Sequence, residues 1–217
     1  MKEFIHYALV LMIIAGVAGV SLHGVNQLTK DKITQQEREK LLAGQNIAYP
    51  GAASFSAAKE FSVKGKPTTY YEVLNAQNAV IGYELQYAVQ GYQSQVTVLT
   101  GIEPGGTIKA IRVLGQAETP GLGAEVEAIP TSETLWQAIG GLFSKKKEVK
   151  TETPIPAFQA QFAGKKLDQL KVVKEKTTEN IEAISGATIT SDAVTRAVRE
   201  PIEAFLAFQK QQTQQQN

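Results

Sequence analysis

Residues 182–191 read Glu-Ala-Ile-Ser-Gly-Ala-Thr-Ile-Thr-Ser, which sets four hydroxyl side chains, Ser185, Thr188, Thr190 and Ser191, around one glycine, Gly186. Directly after them Val194, Ala197, Val198, Ile202, Phe205 and Leu206 recur at helical spacing, which predicts a helix over residues 191–208. A helix N-terminus presents unpaired N–H groups and a partial positive charge, the setting a phosphate needs. Gly186 and Ala187 are small enough to let the backbone approach a ligand. The same hydroxyls also serve as caps, with Ser191 or Thr190 closing the first turn. Asp192 suits the helix dipole for structural reasons alone. On spacing alone the cap is the simpler account.

Other chemistries are narrowed by what the chain lacks. It has no cysteine, which removes disulfides, thiolate metal sites and iron–sulfur ligation. Its two histidines, His6 and His23, both lie in or beside the N-terminal apolar stretch. The rest of the chain therefore has no imidazole for a catalytic triad, a His-ligated zinc or a general base, and no metal site is expected. A hydrolase built on Ser185 also lacks a Gly-x-Ser-x-Gly frame, leaving a Ser-Lys dyad as its one route. The formal net charge is +1 and no long basic block occurs, so no nucleic-acid partner is expected.

The elements that must position the cluster begin with a membrane anchor. Residues 4–25 contain no Asp, Glu, Lys or Arg, and a bilayer-spanning helix takes ~20 apolar residues. A cleavable signal peptide is the alternative, with Gly16-Val17-Ala18 as its cleavage pattern. The weak positive start, Lys2 offset by Glu3, and the length of the run favour a retained anchor. Lys30, Lys32, Arg38 and Lys40 follow the span, and a positive-inside count from them puts the soluble part in the cytoplasm. Residues 26–43 read as a solvated helical connector. Period-two alternation predicts strands over residues 70–74, 79–89, 95–100 and 107–114, with turns at 75–78 and 103–106. Such short turns require antiparallel pairing. A helix is predicted over residues 132–140 around Trp136, then an exposed loop carrying Lys145, Lys146, Lys147, Lys150, Pro154 and Pro156. A short amphipathic helix over 157–163 and a strand over 170–176 follow. Pro201 should bend the last helix or leave one carbonyl unpaired. The organisation is an anchor at 1–25, a connector and lead-in at 26–68, an α+β domain at 69–208, and a Gln-rich disordered tail at 209–217.

Two motifs in this order carry a resemblance. Ser185-Gly186-Ala187-Thr188, followed by x-Thr at Ile189-Thr190, resembles the flavinylation motif of the FMN-binding domains in the Rnf and Na⁺-translocating NADH:quinone reductase complexes. Glu118-Thr119-Pro120-Gly121-Leu122-Gly123 resembles the Glu-Thr-Pro-Gly-Leu-Gly loop of the same family. Lys174, in Lys171-Val172-Val173-Lys174, resembles a flavin-contacting lysine in the strand ahead of the motif. Overall size and the single compact domain are most similar to the RnfG subunit, with the somewhat longer NqrC subunit as close runner-up.

This resemblance implies an antiparallel sheet with flanking helices behind one transmembrane helix. It implies FMN joined by a phosphodiester to Thr188, transferred from FAD by a separate flavin transferase. Glu182 stands where the family usually has Asp as the motif acid. Ser185, Gly186, Ala187, Ile189 and Thr190 would surround the attachment point. Glu118, Thr119, Gly121, Leu122 and Gly123 would line the ring, and Lys174 would meet its reduced charge. The implied function is electron transfer within a multi-subunit inner-membrane complex, not autonomous catalysis, with the soluble domain on the extracytoplasmic side, against the charge count. A membrane-tethered binding module with a capped helix and no cofactor is the alternative of another class.

Overall fold

The computed structural model describes residues 2–129 and 155–215. The helix expected around Trp136 and the lysine-rich loop from Lys145 to Pro154 lie outside the described residues. Two compact units divide the chain, Met1–Leu42 and Ala43–Asn217.

In the first unit the expected anchor and connector are one uninterrupted helix, α1 (Lys2–Ala48), whose last residues belong to the second unit. Phe4, Leu11, Met12, Ile14, Val17 and Leu22 are all well exposed on it. A helix apolar on every side is the pattern of a membrane span. By length and composition α1 can cross a membrane.

The second unit is built on an antiparallel sheet. Its strands are β1 (Ser54–Phe55), β2 (Lys59–Val63), β3 (Lys66–Leu74), β4 (Val80–Gln90), β5 (Gln95–Ile102) and β6 (Ile108–Gly115). The order is β1-β3-β4-β5-β6, and β2 also pairs with β3. All these pairings are antiparallel, as the short turns required. The turn between β3 and β4 closes through Asn75, whose side-chain oxygen accepts the N–H groups of Gln77 and Ala79. Strands β1 and β2 fall inside the stretch read as lead-in. The missed signal is Lys64-Gly65, whose φ values of 50° and 77° make a two-residue hairpin turn of the type that matches strand twist.

Alternation along the strands puts Leu85, Tyr87, Val89, Val96, Val98, Ile111 and Val113 on one face. There they pack against Val194, Ala197, Val198, Ile202 and Phe205 of the long final helix. Between β6 and that helix come a 3₁₀ turn (Gly123–Glu127), α2 (Ala157–Ala160), a second 3₁₀ turn (Leu167–Gln169) and a parallel pair, β7 (Val172–Val173) with β8 (Ile181–Glu182). The strand expected over 170–176 is thus reduced to two residues. The final helix is α3 (Thr188–Gln215), and it runs through Pro201. It starts three residues before the expected Ser191. Its far end corrects the disordered tail: residues 209–215 are helical, since extending a formed helix needs no new nucleus and Gln is a fair helix former.

On the opposite sheet face lies the end of α1. A side chain at Gly101 would collide there with the Ala48 carbonyl, and the Tyr49 hydroxyl donates to the Ile81 carbonyl at 2.8 Å. Glu84, on this face of β4, has no exposed surface. Among the described residues its two carboxyl oxygens have no well-formed hydrogen bond. Burial pushes its pKa up to about 8, and the adjacent Gln45 side chain offsets this in small part.

Candidate functional site

The turn between β4 and β5, the loop after β6 and the start of α3 meet around one carboxylate. Glu118 is nearly fully buried. Its Oε1 accepts the Gln93 N–H at 3.0 Å, the Ser94 N–H at 2.9 Å and the Ser94 hydroxyl at 3.2 Å. Its Oε2 accepts the Tyr92 N–H at 3.2 Å and the Thr190 hydroxyl at 2.6 Å. Burial by itself favours the neutral acid. The Thr190 hydroxyl and the Ser94, Gln93 and Tyr92 amides outweigh it and hold the pKa at about 2. The group is therefore an anion with five donors around it, and it joins three segments far apart in sequence.

Small residues make this approach possible. A Cβ on Gly123 would stand 2.6 Å from the Thr190 hydroxyl and 2.8 Å from Glu118 Cβ. Gly186 has φ of +77°, and a Cβ there would stand 2.9 Å from Leu122 Cδ2. The hydroxyl motif and the Pro-Gly-Leu-Gly loop are thus in direct contact.

Between them is a hollow of about 400 Å³ lined by Tyr92, Glu118, Thr119, Leu122, Gly123, Gly186, Ala187, Thr188, Ile189 and Thr190. This volume lies within the ~300–1,000 Å³ of small-molecule sites. Nine of the expected site residues come together here, from both motifs. Four do not line it. Gly121 is exposed in the loop with φ of +74°. Ser185 is exposed at the turn before α3. Lys174 is exposed just past β7. Glu182 sits in β8, where Gln161 brackets its N–H and carbonyl, and it lines a separate hollow with Phe158 and Gln161. Tyr92 is a lining residue that sequence reasoning missed. It lies in a strand connection, where neither periodicity nor a motif marks it.

The hydroxyl cluster divides by role. Thr190 is committed to Glu118. Ser191 accepts the Ile184 N–H at 3.0 Å and donates to the Ala187 carbonyl at 3.0 Å, so it braces the turn from inside the helix and does not cap its first residue. Thr188 is different. It opens α3, it lines the hollow, and its hydroxyl has no hydrogen-bond partner among the described residues. The N–H groups of a helix's first turn have no carbonyl within the helix, and here they belong to Thr188, Ile189 and Thr190. A free hydroxyl beside helix-start amides that have no carbonyl within the helix, with Leu122, Ile189 and Tyr92 lining the same hollow, could accommodate a phosphate that carries a flat apolar ring.

Comparison with known proteins bears on the same residues. Residues 91–203 match the FMN-binding domain family, and residues 1–44 match the RnfG N-terminal region. The chain is 30% identical to the G subunit of the Na⁺-translocating ferredoxin:NAD⁺ oxidoreductase complex of Acetobacterium woodii, over 96% of this chain and 95% of the relative. It is 28% identical to the G subunit of the proton-translocating ferredoxin:NAD⁺ oxidoreductase complex of Clostridium ljungdahlii, over 91% and 89%. The crystal structure of Shewanella oneidensis NqrC aligns with a TM-score of 0.46 at 20% identity, over 75% of this chain and 73% of that one. With its two motifs joined around one hollow and most of its length matched, the chain belongs to the FMN-binding domain family, as a relative of the G subunit of ion-translocating oxidoreductase complexes.

Proposed function

We propose that this chain is the FMN-carrying electron-transfer subunit of an Rnf-type, ferredoxin- and NAD-linked, ion-translocating complex in the membrane, and that FMN is joined by a phosphodiester to Thr188. The observation that carries this reading is the Thr188 hydroxyl, unpartnered among the described residues at the start of α3 and lining the hollow formed by both motifs. The likeness to two complex subunits over nearly their whole length supports the complex, and the apolar run of α1 supports its place in the membrane.

Attachment needs a phosphoryl donor and no base from this chain. With FAD as donor and a flavin transferase as catalyst, the bond from Thr188 Oγ1 to phosphorus forms and the pyrophosphate bond breaks. AMP leaves and the hydroxyl proton passes to solvent. The remaining diester charge would rest on the first amides of α3, where the helix dipole favours an anion. Leu122 and Ile189 would hold the ring by apolar contact. Glu118 would act through its neighbours, keeping the loop and the helix start in register, because all five hydrogen bonds to its carboxylate come from protein donors. Glu182 would serve recognition by the transferase. Lys174 and Ser185 would approach from outside the lining residues.

The bound group supplies one- and two-electron chemistry, and the protein supplies its position and electrostatic setting. A covalent tether suits a carrier on the extracytoplasmic side, where free FMN would be lost by dilution. The other membrane subunits of the complex would be its partners.

The test is in-gel fluorescence after denaturing electrophoresis of the wild type and Thr188→Ala, each co-expressed with a flavin transferase. A fluorescent band that disappears in the variant is expected. A dark wild-type band, with the transferase shown to be active on another substrate, would overturn the proposal.

A further inference from the structure

We propose that Tyr92 is a further flavin-contacting residue whose phenol ring covers one face of the isoalloxazine, an inference that rests on the function proposed above. Exposed apolar side chains scattered singly need no explanation, but convergence on one concave site does. In the described part of the second unit, the large exposed apolar residues are Val80, Tyr92, Leu122, Ile129, Ile155 and Ile189. Three of them, Tyr92 at 65%, Ile189 at 55% and Leu122 at 44% exposure, line the same hollow. They arrive from three separate segments. Leu122 and Ile189 come from the two motifs, and Tyr92 comes from the turn between β4 and β5.

That turn is held in place. The Tyr92 N–H donates to Glu118 Oε2, and the next two amides donate to Oε1. Glu118 also holds Thr190, two residues from Thr188. The Tyr92 backbone is thus fixed relative to the attachment point by a single carboxylate. Its side chain, by contrast, has no hydrogen bond and no aromatic partner among the described residues. A flat ring on a fixed backbone, unpartnered at the lip of a hollow, is suited to stack on another flat ring. A phenol is also electron-rich. In contact with a flavin it quenches fluorescence by giving an electron to the excited ring and taking it back, with no net change in either.

The experiment compares the full-length wild type, Tyr92→Ala and Tyr92→Phe in detergent, all co-expressed with a flavin transferase. After denaturation the three should show equal in-gel flavin fluorescence, since attachment at Thr188 does not involve Tyr92. When folded, Tyr92→Ala should be several-fold brighter than wild type and more readily quenched by iodide. Tyr92→Phe should be bright yet remain protected from iodide, because Phe covers the ring without donating an electron. Folded variants as dim and as protected as wild type would overturn the Tyr92 assignment and leave attachment at Thr188 standing. Absence of denatured fluorescence in all three would instead remove the proposed function, and this inference with it.

Discussion

Glu84→Gln separates the burial of a side chain from the burial of a charge. Glu84 has no exposed surface, and burial moves its carboxyl from 4.5 to about 8. In the unfolded chain it titrates at the ordinary value, so folding takes up a proton at any pH between the two. Stability falls with rising pH wherever the native state binds more protons than the unfolded one. The favourable contribution of the protonated group is complete below the unfolded pKa. It declines by ~1.4 kcal/mol per pH unit above that value and is lost as pH passes the folded pKa. The interval from 4.5 to about 8 corresponds to ~5 kcal/mol in all. Tyr71 faces Glu84 from β3, but burial raises its pKa above 10.0, outside this window, and Gln45 from α1 is neutral. Gln at position 84 fills nearly the same volume and does not ionise. The variant should therefore gain on the wild type by ~3 kcal/mol between pH ~5 and pH ~7.5. Urea unfolding of the full chain in detergent, followed by circular dichroism at a series of pH values, measures this difference. Parallel curves for the two proteins would refute the reasoning and show that the carboxyl is not sealed from water.

Glu118→Gln should act at the other end of the pH scale. The folded pKa of about 2 lies below the unfolded value, so the stabilisation is present above pH ~4.5 and lost as pH falls through ~2, amounting to ~3 kcal/mol. The variant should be weaker at neutral pH and show a flatter acid limb, and an acid unfolding curve identical to wild type would contradict this. Thr190→Val removes the 2.6 Å bond to Glu118 and should cost ~1.5–3 kcal/mol in urea unfolding, the range for a bond to a charged group. Flavin attachment should persist in Thr190→Val, since the proposed acceptor is Thr188. Gly123→Ala places a methyl group 2.6 Å from the Thr190 hydroxyl and should destabilise by ~1–3 kcal/mol through overpacking. Its ratio of flavin to protein should also fall. A melting curve and a flavin ratio like those of the wild type would mean that the three segments yield more easily than their packing implies.

Several elements could be read directly from the chain. Strands β4, β5 and β6 alternate in residue type because one sheet face is buried, under α3 for β4 and β5 and under α2 for β6, and their ends fall within two residues of the expected ones. The apolar run at residues 4–25 declares a helix of bilayer length without any tertiary information. Strand β2 was not legible, because Lys59-Glu60-Phe61-Ser62-Val63 at a sheet edge carries few apolar residues and its pairing depends on β3. The start of α3 was placed late because Thr188, Ile189 and Thr190 have modest helix propensity. Their helical state is fixed by contacts such as Thr190 with Glu118.

The candidate site shows the same division. By itself the sequence determined the two motifs, the absence of thiols and of histidines beyond the N-terminal apolar stretch, and the set of hydroxyls from which the proposed attachment point is drawn. Residue types carry that information, since they decide which bonds a side chain can form. The sequence could not separate a cap from a ligand site, because caps and ligand sites use the same hydroxyls. The tertiary structure distinguished the hydroxyls by partner and place: Thr190 is bonded to Glu118 and Ser191 to the turn before α3, while of the two without a partner among the described residues, Ser185 and Thr188, only Thr188 lines the hollow. It also brought Tyr92 to the hollow and left Lys174 outside its lining. That Thr190 is committed and Thr188 is not depends on a neighbour 72 positions away in the chain, and no local pattern of residues encodes that distance.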